Sequence, residues 1–253
     1  MKISSIYASL FAIIIIGSAV NSVAAQTAPP AEVTEFKFSF EEEVLVNTFN
    51  DGGDTLVGFN QTLVLDLSQD ISLDLSIPVY TQGSNTSVGD IDFGGTWEFL
   101  HGDNAAIDKW NVSVGGGVFI PVGSDEFRSS AVNPYISAGF DCKVWVLDFS
   151  QTADYRFNGG ESYITWIGTK TDSDVLNLGT SLSHAWGAFD FGVNMEQVYY
   201  VDGDNAQVLV GPIAEWEISS NVDLNASYLL PVYQDVTSAE VNAVFTAGLS
   251  IKF

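Results

Sequence analysis

Positive charge is scarce in this chain: eight Lys and Arg stand against 32 Asp and Glu, a formal net charge of −24. That balance disfavours a nucleic-acid partner, because phosphate binding needs the opposite sign. Cysteine is nearly absent, and Cys142 alone can neither close an internal disulfide nor seed a metal-ligand cluster. The only histidines are His101 and His184, and no HExxH, CxxC or GxSxG unit occurs. Ser183 and His184 are neighbours, but adjacent side chains of a strand point to opposite faces and cannot work as a hydrolase pair. The glycines at 94–95 and 115–117 lie inside strand-like segments with no following Lys or helix, so they are not phosphate loops. The expectation is a protein that is not an enzyme and has no cofactor and no metal. Past Val20, no apolar run approaches the roughly 18 residues of a membrane-spanning helix, and helical periodicity is almost missing.

What remains is a chain rich in strand formers: 17 Phe, nine Tyr and six Trp, with 23 Gly. Residues 1–25 open with Met1 and Lys2, run apolar from Ile6 to Val20 and end in Val23-Ala24-Ala25. This is the layout of a secretory signal with cleavage before Gln26; the alternative, a buried first helix, finds no continuation in the polar stretch that follows. Residues 26–34 then form an N-terminal segment on the periplasmic side, and 35–253 are enough for one large domain.

Period-two alternation places twelve strands at about 35–47, 55–67, 71–80, 90–99, 110–120, 134–142, 145–157, 174–185, 189–200, 206–218, 222–230 and 239–253. The connections alternate between long polar loops and short turns, as in a bacterial outer-membrane barrel with both termini in the periplasm, with residues 101–109 (HGDNAAIDK) the exception, longer than a periplasmic turn should be. An all-β, transmembrane antiparallel β-barrel follows, with a soluble β-sandwich as the competing architecture. Twelve strands imply a backbone diameter of about 24 Å and roughly 10–15 Å of free width unless a segment plugs it.

The faces divide by charge. Phe36, Phe38, Phe40, Leu63, Leu65, Phe93, Leu147, Phe191 and Val193 are assigned to lipid, and in the last strand Val241, Ala243, Phe245, Leu249 and Phe253. A charge at the lipid midplane costs about 2–4 kcal/mol for a Lys or Arg and less for a carboxylate, so the charged alternates have to line the lumen. These are Lys37, Asp66, Asp74, Asp92, Asp148, Asp154, Arg156, Asp190, Glu196, Glu215, Asp223, Glu240 and Lys252. Asp51 to Asp54 and Asp202 to Asn205 read as tight turns before they read as calcium ligands.

Two resemblances add to this. The last eight residues, from Thr246 to Phe253, resemble the recognition signal of outer-membrane barrels, with Gly248, Ile251 and Phe253 at its defining positions. The resemblance implies engagement by the barrel-assembly machinery. The segments Leu75-Ser76-Ile77-Pro78-Val79, Val88-Gly89-Asp90-Ile91, residues 115–123 (GGGVFIPVG) and Asn133-Pro134 resemble the meta-pathway phenol-degradation family of outer-membrane proteins. That resemblance implies a barrel admitting small, often hydrophobic or aromatic solutes.

The expected partners are therefore outer-membrane lipids and lipopolysaccharide of a Gram-negative cell, the assembly machinery and small-molecule solutes. The expected function is passive passage of small solutes, cation-preferring or admitting small hydrophobic compounds. The alternative is a non-conducting adhesin or envelope scaffold acting through Thr81 to Gly89 and Gly159 to Asp174. Deleting Phe253 is expected to lower insertion of the full chain in cells while leaving the strand pattern intact, as read by protease protection and circular dichroism; normal insertion would sink the assembly-signal reading.

Overall fold

A computed structural model describes residues 37–49, 55–102, 109–124, 127, 129, 131–158, 163–164, 170–171, 173–201, 205–235 and 240–253. The expected signal, the segment 26–34, Phe36 and the acidic turns at 51–54 and 202–204 lie outside the described residues. The strands are β1 (Lys37–Phe49), β2 (Leu56–Asp66), β3 (Ile71–Gln82), β4 (Asn85–Val88), β5 (Ile91–Gly102), β6 (Lys109–Ile120), β7 (Asn133–Val144) and β8 (Leu147–Arg156). They continue with β9 (Tyr163–Ile164), β10 (Lys170–Thr171), β11 (Val175–Trp186), β12 (Phe189–Tyr200), β13 (Asn205–Ser219), β14 (Val222–Asp235) and β15 (Val241–Lys252).

Every pairing is antiparallel, and with β2 paired to β3 the sheet closes into one ring, its first and last strands β1 and β15 meeting along Ser39↔Lys252 to Phe49↔Val241. β4 folds back on the end of β3, and β9 pairs only with β10, so twelve strands form a closed barrel. Closure suits this sequence because a membrane offers no water to an unpaired backbone edge. Phe253 extends the seam, its N–H donating to the Phe38 carbonyl at 2.9 Å.

Short turns occupy one rim. Two of them use left-handed backbone, at Trp145 (φ 58°) and Gly187 (φ 67°), which two-residue hairpins require. The corner between β7 and β8 thus falls at Trp145-Val146, two residues beyond the expected Lys143-Val144. The other rim carries the long connections.

Outward positions are apolar and exposed, among them Phe38, Leu63, Phe93, Leu147, Phe191 and Val193. Aromatics gather at the short-turn rim, where Phe189 stacks on Trp216 at 5.6 Å and Trp97 meets Phe99 at 5.7 Å; this is where a girdle meets the lipid interface. Polar side chains also interrupt the outward face: Gln61 Nε2 donates to Glu42 Oε1 at 3.3 Å on the lipid side.

Two irregularities change the sequence-based assignment. The register of β1 and β15 shifts between Thr48 and Phe49, which turns Val241 inward, fully buried, and Asn242 outward. The even alternation assumed for the last strand therefore breaks at its start. Pro212 lies on β13 opposite Val193 of β12, at a point where the ladder to β14 skips Gly211 and Pro212, so the missing N–H interrupts no assigned pair there.

Depth decides how much a charge on the lipid face costs. Phe191 belongs to the aromatic rim through its stack with Phe189, whereas Val193 lies one inward-outward repeat deeper. Val193→Arg is expected to destabilise the barrel by about 2–4 kcal/mol, Phe191→Arg by less, and lumenal Asp190→Arg least. Folding yields of the three variants in lipid vesicles check the order, and equal yields would overturn the face assignment.

Candidate functional site

The lumen is built in three levels. Nearest the long loops, Leu45, Phe49, Leu56, Tyr80, Val175, Val198, Tyr200, Leu209, Leu229, Val241 and Val244 join Phe127 in one contiguous apolar cluster. Phe127 comes from the connection between β6 and β7, and its ring lies 6.1 Å from that of Tyr80. The connection is pinned to the wall: the Ser129 N–H donates to Asp90 Oδ1 at 2.7 Å, and Arg156 donates to Asp90 Oδ2 at 3.1 Å. Arg156 is almost wholly buried, and its guanidinium stacks over the Phe119 ring at 3.9 Å. This layer narrows the free width expected from strand number, because inward apolar side chains and one loop residue pack into that end.

Below it the lumen turns acidic. Glu41, Glu43, Asp74, Asp92, Asp154 and Glu196 are all buried inside the ring. Neutral groups tie part of this level together: Ser76 Oγ donates to Asn60 Oδ1 at 2.7 Å and meets Thr62 Oγ1 at 2.9 Å. Tyr135 Oη reaches Asp92 at 3.5 Å, in space that exists because Gly94 and Gly117 have no Cβ; one on either would lie within 2.8 Å of the Tyr135 side chain. Among the described residues neither Glu43 oxygen has a hydrogen-bond partner, and one oxygen each of Glu41, Asp74, Asp92 and Glu196 also lacks one. Buried carboxylates without donors are costly unless water or a solute supplies them.

Toward the short turns the acidic groups meet their cations. Lys143 pairs with Asp148 at 2.8 Å and Lys252 with Asp223 at 2.7 Å. Asp66, Asp190 and Glu215 are half-buried at this level, and exposed Lys37 stands opposite Asp66 in the register. Glu240 is the exception among the expected lumen residues: it is exposed at the loop rim ahead of β15, outside the barrel wall. His184 points outward to the Val146 carbonyl at 2.7 Å, while Ser183 points inward to Asp190 at 3.2 Å, so the two share no proton. No group of three acidic, His or Cys side chains could hold a metal ion among the described residues.

Of the proposed assembly residues, Gly248 faces inward against Asn225, Ile251 is half-buried and Phe253 is highly exposed. Glu41 and Glu43 were not among the expected lumen residues. Parity from Phe38 and Phe40 would have found them, but the run Glu41-Glu42-Glu43 hides the alternation.

Solved structures share this architecture at low identity. An outer membrane channel from Pseudomonas putida F1 superposes with a TM-score of 0.61 at 9% identity, covering 92% of this chain and 100% of that one. The NanC porin gives 0.60 at 8% identity, covering 85% and 100%. The translocator domain of the autotransporter NalP from Neisseria meningitidis gives 0.51 at 12% identity, covering 98% and 97%. No curated protein matches the chain in sequence. Residues 20–253 match one family throughout, and the chain belongs to that family, described as "Putative MetA-pathway of phenol degradation".

Proposed function

We propose that the chain is a passive route for small solutes across the outer membrane of a Gram-negative cell, with a preference for cations. The observation that carries this reading is the uncompensated inner face. Glu41, Glu43, Asp74 and Glu196 are buried in the lumen with no ion pair among the described residues, and Arg156 is the one buried cation described. In a narrow passage with low-dielectric walls such charges focus their field along the axis, raising the local concentration of cations. Outer-membrane lipids, lipopolysaccharide and the assembly machinery are the partners this reading implies.

The apolar layer supports a second reading, entry of small hydrophobic compounds at the loop side, since Phe49, Tyr80, Phe127 and Tyr200 make that end aromatic and uncharged. The two readings separate by experiment. In planar bilayers under a potassium chloride gradient, the cation route gives a reversal potential of cationic sign that shrinks at high salt as the carboxylates are screened. Glu43→Gln is expected to lower that selectivity. Phe127→Ala is expected to raise the conductance several-fold, because it removes the one loop side chain described in the apolar layer. An anionic reversal potential would overturn the cation preference. Bilayer silence in both wild type and Phe127→Ala, together with no uptake of hydrophobic solutes, would favour the scaffold alternative.

A further inference from the structure

Beneath the apolar layer, between β11, β12, β13, β14 and β15, lies a cavity of about 100 Å³. Leu229 forms part of its roof and belongs to the apolar cluster, so the cavity ends where the acidic level meets that layer.

Its polar lining has one sign. Asp190, Glu196 and Glu215 face in, and no Lys or Arg lines the cavity. Asp190 and Glu215 are direct cross-strand partners, an arrangement that places like charges about 5 Å apart at Cβ and destabilises the sheet unless something positive sits between them. Lys252, the basic side chain on the neighbouring wall, is held by Asp223 at 2.7 Å. Glu196 is the most informative member. It is 1% exposed, Asn194 Nδ2 fixes its Oε1 at 2.7 Å, and its Oε2 has no donor among the described residues. A buried carboxylate oxygen without a donor carries a desolvation cost that a cationic ligand offsets.

The rest of the cavity defines the kind of donor. The cavity is small, and the described carboxylates do not converge closely enough to hold a bare metal ion. Hydroxyls sit between the acidic walls, with Ser227 Oγ and Thr246 Oγ1 2.7 Å apart and Ser183 Oγ donating to Asp190 at 3.2 Å. Ile213 and Leu229 add apolar surface for a short carbon chain. We propose that this cavity binds small aliphatic ammonium compounds, with one ammonium at Glu196 and a second positive group or a hydroxyl between Asp190 and Glu215. The proposal rests on the cation-route reading and names the solute class that the route would admit.

Calorimetric titration of the full chain in detergent micelles with three four-carbon probes tests it. Putrescine is expected to bind, whereas 1,4-butanediol and succinate, matched in length but neutral and anionic, are not. Glu196→Gln and Asp190→Asn should each weaken putrescine binding at least about tenfold, a loss of ~1.4 kcal/mol or more per site. Glu42→Gln, on the lipid face, should leave it unchanged. Heat-modifiable migration on gels confirms that each variant is a folded barrel. Absence of putrescine binding, equal binding of butanediol, or full affinity in folded Glu196→Gln would overturn the proposal. Putrescine binding without cation-selective current would uphold the site and overturn the route; cation-selective current without putrescine binding would do the reverse.

Discussion

Everything in this molecule depends on closing the backbone hydrogen-bond ring. In hydrocarbon an unpaired N–H or C=O costs several kcal/mol, so a sheet of this length is stable in a membrane only if its first and last strands meet. The β1–β15 ladder, with register from Ser39↔Lys252 to Phe49↔Val241, makes that joint across nearly the whole chain length. Once the ring is closed, each strand has one dry face and one enclosed face, and alternation becomes obligatory. The exposed apolar belt of Phe38, Leu63, Phe93 and Phe191 and the buried polar set of Glu41, Asn60, Asp92 and Asp154 are two consequences of the same closure.

The enclosed face is not uniform, and its layering follows from what each level can solvate. Carboxylates toward the short turns have Lys143 and Lys252 as counter-charges and partial access to water. In the middle, oxygens of Glu41, Glu43 and Glu196 have no donor among the described residues. At the loop end the wall becomes apolar and packs as a core would, drawing in Phe127. The interaction of Asp90 with both Ser129 and Arg156 places a charged anchor beside that core, tying the loop's position to the barrel wall.

Much of this was legible in the sequence, for a physical reason. β11 and β12 alternate cleanly around the short Gly187-Ala188 turn, and lipid on one side with polar lumen on the other gives the strongest contrast a strand can show. The contrast vanishes where the lumen itself is apolar. Val175, Val198, Leu209 and Leu229 face inward and resemble lipid-facing residues in every sequence property, so the layer they form could not be read. Val241 was misassigned because a one-residue register shift opposite Phe49 flips the pleat, and nothing in the composition of β15 marks it. The Arg156–Asp90 bridge spans 66 positions and the cavity draws on five strands. Such partners become neighbours only through closure.

The interrupted ladder at Gly211-Pro212 has a mechanical meaning. Around most of the ring each strand is held on both sides by continuous pairing, so a fluctuation at one residue is resisted along the entire strand. Between β13 and β14 the resistance is divided into two shorter zippers, from Ala206 to Val210 and from Ile213 to Ser219. Thermal breathing of the wall should start at that joint, and the backbone of Tyr228 and Leu229 across from it should be the first in the transmembrane wall to trade its protons with solvent.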